Sequence, residues 1–72
     1  MSVQPEIDAL LVKATTEGNY NELQIQLEAG KRPSEDADDL VTIAAGLTDV
    51  GRVRYKVLRV LVNNGLPEEE LS

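Results

Sequence analysis

Residues 18–30 read GNYNELQIQLEAG, and residues 54–65 read RYKVLRVLVNNG. In both segments a Tyr is followed three residues later by a Leu, further aliphatic residues come next, and a Gly closes the segment. Apolar residues at helical spacing mark one face of a helix, and a Gly commonly ends one, so each segment predicts a helix with a Gly stop. A near-repeat in so short a chain predicts a small stack of helical hairpins.

The first segment has a helical partner directly before it. Pro5 suits the first turn of a helix, and apolar residues recur on one face from there until Gly18, which predicts helix one over about residues 5–17. Asn19 or Asn21 can cap the second helix, and Gly30 ends it. Two helices joined by so short a turn predict an antiparallel hairpin over about residues 5–30.

The second hairpin is predicted over about residues 34–65. Ser34 or Asp36 is the expected cap of helix three, and in that case four acidic residues crowd its first turn, where the helix dipole stabilises negative charge. These residues are Glu35, Asp36, Asp38 and Asp39. Residues 40–47 are mostly apolar, so we expect helix three to be the best-buried element.

Helix four is predicted over about residues 52–64, before Gly65. Its apolar side comprises Val53, Val57, Val60 and Leu61, and is widened by Leu58 and Val62. Residues 66–72 are expected to add a short acidic C-terminal turn. The prediction is therefore a single all-α domain over residues 1–72, with about four helices in two stacked antiparallel hairpins, as an ankyrin-like stack or as a small helical bundle.

The composition disfavours several classes of function. The chain has 72 residues, no Cys and no His, so it has no disulfide and lacks the commonest zinc ligands and proton-transfer groups. We expect no enzymatic activity, no cofactor and no metal. Its net charge of −6 disfavours nucleic acid and anionic lipid as primary partners. Neither a membrane-spanning run nor a signal peptide is apparent, so we expect a cytoplasmic protein with no membrane association.

The two hairpins resemble a pair of ankyrin repeats, over about 55 of the 72 residues. The residues that match the family's helix pattern in the first unit are Leu11, Ala14, Gly18, Leu23, Leu27 and Gly30; those in the second are Val41, Ala44, Ala45, Leu58, Leu61 and Gly65. The family's Thr-Pro-Leu-His signature is replaced by residues 39–42, and residues 31–38 are short for the projecting hairpin that ankyrin proteins often use in binding. Two units are also fewer than the three that normally stabilise such an array.

One local charge feature stands out in this acidic chain. Arg52, Arg54, Lys56 and Arg59 form a basic strip on helix four. Such a strip is either a solvated face that offsets the acids of helix three or a contact for an acidic partner, since Arg pairs well with carboxylates. Tyr20 and Tyr55 occupy equivalent positions in the repeat, so we expect both to pack at the helix starts.

These features predict a small non-enzymatic protein-binding module, such as an inhibitor or adaptor of a larger protein. The candidate partner-binding residues are the four basic ones and the acidic set of Glu35, Asp36, Asp38 and Asp39. One alternative is a structural subunit in which an apolar end face is buried in a homodimer or larger homo-oligomer. The other is a small nucleic-acid-associated regulator that uses the basic strip.

Overall fold

The computed structural model describes residues 3–35 and 37–66 of the 72-residue chain. Within those residues the secondary structure is helical, with no strand. The α-helices are α1 (Gln4–Thr16), α2 (Tyr20–Glu28), α3 (Leu40–Ala45) and α4 (Val53–Asn63), and a 3-10 turn (Val50–Arg52) precedes α4. The predicted all-α class is confirmed.

In the turn between α1 and α2, one residue ends the first helix and the next residue caps the second. Gly18 follows Glu17, the C-cap residue of α1, and has a φ of +71°, a left-handed conformation that favours Gly. The next residue, Asn19, caps α2, because its side-chain oxygen accepts a hydrogen bond from the backbone N–H of Glu22 at 3.2 Å. Of the two predicted caps, Asn19 is therefore the one used. Three residues separate α1 from α2, so the two helices form a tight hairpin.

The two hairpins stack side by side. Helix α1 packs against α2 and α3, and α4 packs against α2 and α3. The space between them is filled by aliphatic side chains, which is the only large source of stability open to a chain without crosslinks. The buried apolar residues are Leu11, Ala14, Leu23, Leu27, Leu40, Ala44, Val57, Val60 and Leu61. This arrangement is the predicted pair of stacked hairpins.

The predicted start of the third helix is wrong. Helix α3 begins at Leu40 and is capped by Asp39, whose carboxylate accepts hydrogen bonds from the N–H of Val41 at 3.1 Å and the hydroxyl of Thr42 at 2.9 Å. Glu35 and Asp38 therefore lie in the loop before the helix and not in its first turn. Asp36 lies outside the described residues.

The other predicted cap, Ser34, is engaged elsewhere. Its backbone N–H and its hydroxyl donate to the two carboxylate oxygens of Asp8 in α1, at 2.9 and 2.5 Å. Gln4 donates to the same carboxylate at 2.7 Å and to the carbonyl of Arg32 at 2.9 Å. The hydrogen bonds from Ser34, followed by that from Gln4, lower the pKa of Asp8 below its usual value because they favour the charged form. Helix α1 thus holds the loop that leads from the first hairpin to the second.

The second hairpin ends close to the predicted boundaries. Helix α4 starts at Val53, one residue later than predicted, because Arg52 has a left-handed φ of +61° that is incompatible with helix. Leu66 packs against the core beyond the end of α4. The predicted acidic turn at 66–72 lies outside the described residues from residue 67 onward.

Candidate interaction face on the fourth helix

Helix α4 has a buried side and an exposed side, and the exposed side includes large hydrophobic residues. Val57 and Leu61 have no exposed surface, whereas Tyr55 is 51% exposed and Val62 is 63% exposed. Tyr55, Arg59 and Val62 are spaced four and three residues apart, so they lie along one side of the helix. This side carries a large aromatic, a guanidinium and an aliphatic group in contact with solvent.

Three cations of the basic strip are in contact with tyrosine. The guanidinium of Arg52 lies 5.8 Å from the centre of the Tyr55 ring, and Arg59 donates a hydrogen bond to the Tyr55 hydroxyl at 2.9 Å. The ammonium of Lys56 lies 5.0 Å from the centre of the Tyr20 ring in α2, and 3.4 Å from its hydroxyl. Both ring distances are within the range of cation–π attraction. The tyrosines therefore orient these cations at the surface.

We define the α4 face as Tyr55, Arg59 and Val62 on the exposed side of the helix, together with the neighbouring cations Arg52 and Lys56 and the partly buried Tyr20 beneath Lys56. The fourth predicted cation, Arg54, is not part of it: Arg54 pairs with Asp49 at 3.6 Å, in the connector before the 3-10 turn. Both side chains of this pair are largely exposed, so the pair itself contributes little stability.

The structure does not join the described members of the predicted acidic set to the predicted basic set. Glu35 and Asp38 are exposed in the loop before α3, and Asp39 is occupied as the cap of that helix. Among the described residues, the ion pair that forms with the basic strip uses Asp49 of the connector. The idea that the strip offsets the acids of helix three therefore receives no support from the contacts.

Sequence reasoning missed two features of this face. Val62 was expected to widen the apolar side of helix four, but it is 63% exposed. Tyr55 was expected to pack at the helix start, and only Tyr20 does so, since Tyr20 packs against the core while Tyr55 is half exposed. The spacing of Tyr55, Arg59 and Val62 was a usable signal, because residues on the same side as a solvated Arg are themselves solvated.

The described part of the chain holds no group of His, Cys, Asp or Glu side chains arranged to bind a metal ion. It also contains no helix with both the length and the apolarity needed to cross a bilayer. A shallow groove of about 440 Å³ lies at the start of α1, lined by Val3, Glu6, Ile7, Leu10 and Lys31. The groove is lined by three apolar residues, and Glu6 and Lys31 are its charged residues.

Comparison with known proteins gives no match: no family model fits the sequence, and neither a curated protein nor a solved structure is similar to it.

Proposed function

We propose that this chain is a small non-enzymatic protein-binding module, acting as an inhibitor or adaptor, and that it binds through the α4 face. The observation that carries the proposal is the exposure of Tyr55 and Val62 beside Arg59 on a rigid helix. Tyr and Arg are enriched at the energetic centres of protein interfaces, since each combines a large contact area with directional polar groups.

The rest of the molecule is consistent with this proposal. The sequence has neither His nor Cys, so the side chains that most often move protons or act as nucleophiles near neutral pH are missing. The α4 face is built on a helix that is anchored by Val57, Val60 and Leu61 in the core. Because the helix is already ordered, a partner would not have to supply the free energy of ordering it.

Affinity capture with matched variants tests the proposal. The immobilised full chain is compared with the double variant Tyr55→Ala/Val62→Gln in an extract of the source cells. The control is Val50→Gln, because Val50 is 77% exposed and lies outside the α4 face. We expect a partner that is retained by the wild type and by the control, and lost from the double variant, since truncation at a central contact costs about 2 kcal/mol or more.

Equal recovery of every captured protein by all three chains would contradict the proposal. Circular dichroism of each variant establishes that a lost partner is not the result of unfolding. Light scattering of the pure wild type addresses the alternative of a homo-oligomeric subunit: a dimer that dissociates in the Tyr55→Ala/Val62→Gln variant would show that the α4 face binds a second copy instead.

A further inference from the structure

Among the described residues, no carboxylate pairs with the cations of the α4 face. The chain has 13 acidic and 7 basic residues, so most cations would be expected to find a carboxylate nearby. Within the described residues, however, Arg52, Lys56 and Arg59 contact tyrosines, and the ion pair of this helix belongs to Arg54. The three positive charges of the face are therefore oriented by tyrosines, and no carboxylate in the described part of the chain pairs with them.

Orientation by tyrosine reduces the cost of binding an anion. An exposed Arg or Lys normally loses rotamer freedom when it forms an ion pair, and this loss offsets much of the gain. The hydroxyl of Tyr55 fixes Arg59, and the ring of Tyr20 supports Lys56. Since part of that freedom is already lost, these cations are better prepared to bind than unsupported surface cations.

The spacing of the cations sets the size of the ligand. Arg52 directly precedes α4, and Lys56 and Arg59 follow at four and three residues, so the charges extend along about 10 Å of helix. An extended peptide covers this length with about three residues, and a helical one with about two turns. A short acidic segment therefore fits the face without extending over the rest of the surface.

Net charge favours such a segment over a nucleic acid. A nucleic acid presents phosphates continuously on both sides of the contact, and the chain's net charge of −6 repels those that lie beyond the face. A short segment carries only the charges that the face can pair. Arg also forms two parallel hydrogen bonds to a carboxylate, which gives Arg52 and Arg59 directional recognition of Asp and Glu side chains.

We infer that the α4 face binds a short segment of another protein that is rich in Asp and Glu. This inference rests on the proposed function, because it names the chemistry of the partner for the same face. Arg52, Lys56 and Arg59 pair with the carboxylates, while Tyr55 and Val62 contact the apolar parts of the segment.

The test uses defined peptides and charge-matched variants. The probe is a short fluorescein-labelled peptide of alternating Glu and Ala, and its neutral counterpart has Gln at every Glu position. Fluorescence anisotropy is measured with the full chain at low and at physiological salt. The variant Arg52→Gln/Lys56→Gln/Arg59→Gln is compared with Lys13→Gln/Lys31→Gln/Arg54→Gln, which removes the same number of charges outside the face.

We expect the acidic peptide to bind the wild type and the control, and to bind the face variant about tenfold more weakly at low salt, since three exposed pairs are lost. Added salt should weaken the binding. Equal binding of the neutral peptide, or equal losses in both triple variants, would overturn the inference. It would also be overturned by stronger binding of a single-stranded oligonucleotide of similar length, or by a low-salt dimer that the face variant abolishes.

Failure of the inference can be told apart from failure of the proposed function. If the acidic peptide does not bind but a cellular partner is still lost from Tyr55→Ala/Val62→Gln, only the acidic character of the partner is refuted. If that double variant loses no partner, the function assigned to the α4 face is refuted as well.

Discussion

At the scale of single residues, Gly18 carries two separate constraints. Its φ of +71° is unfavourable for any residue with a Cβ, and a Cβ placed there would lie 2.6 Å from Cγ1 of Val53 at the start of α4. The turn of the first hairpin therefore touches the second hairpin through a position that has room only for hydrogen. Gly30 has a φ of +95°, but no atom lies within 4 Å of a Cβ placed there. A substitution at Gly30 therefore meets backbone strain without a steric clash.

We predict that Gly18→Ala lowers the free energy of unfolding by about 3 kcal/mol and Gly30→Ala by about 1 kcal/mol. Left-handed backbone costs a residue with a Cβ about 1–2 kcal/mol, and forcing a methyl group into a filled space adds about 1–3 kcal/mol. Val53 is β-branched and stiff, so it cannot readily turn away. Urea denaturation followed by circular dichroism measures both values.

The double variant Gly18→Ala/Val53→Ala separates the steric cost of the Gly18 substitution from its backbone cost. We expect the double variant to cost less than the sum of the two single variants, because Val53→Ala removes the atom that the new methyl group would meet. Strict additivity, or equal costs at Gly18 and Gly30, would show that the close approach of the two hairpins is unimportant.

At the scale of elements, the Asp8 carboxylate connects helix α1 to the loop before α3. It accepts two hydrogen bonds from Ser34 and one from Gln4, and these bonds lower its pKa. A carboxyl whose folded-state pKa lies below its unfolded value of about 3.8 stabilises the fold above that value. The contribution is lost as the pH falls from about 4 through the lowered pKa of the folded state.

We therefore predict that Asp8→Asn lowers the thermal midpoint of unfolding at neutral pH. The amide is uncharged and has one acceptor oxygen, so it cannot replace both carboxylate oxygens that accept hydrogen bonds from Ser34. The difference between the variant and the wild type should shrink as the pH is lowered below about 4, since the wild-type carboxyl is then protonated as well. The control is Asp38→Asn: Asp38 is exposed and has no hydrogen bond in the described structure. A difference that is independent of pH would contradict this role for Asp8.

The same carboxylate binds Ser34, one of the two predicted caps of the third helix. Ser34, Asp36 and Asp39 are all good caps by residue type, so local sequence preference does not choose among them. Ser34 instead donates to the carboxylate of Asp8, 26 residues earlier in the chain, and local sequence preference does not reveal such a long-range contact. By contrast, the Gly stops and an Asn cap can be recognised from neighbouring residues in the sequence, which is why the first hairpin could be predicted closely.

At the scale of the whole molecule, stability depends on a small aliphatic core. Folded domains are stable by roughly 0.05–0.15 kcal/mol per residue, so a chain of 72 residues has about 4–11 kcal/mol in total. Leu61 has no exposed surface and belongs to the cluster that joins the two hairpins. The burial of one central side chain therefore contributes a large fraction of the total free energy of unfolding.

We predict that Leu61→Ala costs about 2–5 kcal/mol, the usual range for a buried Leu that leaves a cavity. The neighbouring Val62→Ala should cost less than about 0.5 kcal/mol, because Val62 is 63% exposed. Thermal and urea unfolding of the two variants measure the difference. Similar costs at both positions would show that α4 packs with a different side against the core.

The fold could be predicted further than the candidate site. Helix periodicity and Gly stops are local signals, and they were enough to predict stacked hairpins. The α4 face depends on contacts between distant parts of the chain, such as Lys56 with Tyr20, which are 36 residues apart. The basic strip was visible in the sequence, but the separation of Arg54 from the other cations depends on its pairing with Asp49.

The placement of the tyrosines has a practical consequence. The chain contains two Tyr residues and neither Trp nor Phe, and both tyrosines contact cations of the α4 face. Ultraviolet absorbance and intrinsic fluorescence of the folded protein therefore originate at the surface where we propose that binding takes place. A ligand that displaces Arg52 or Lys56 from its tyrosine ring would change the optical spectrum of the native chain, so titrations need no attached dye.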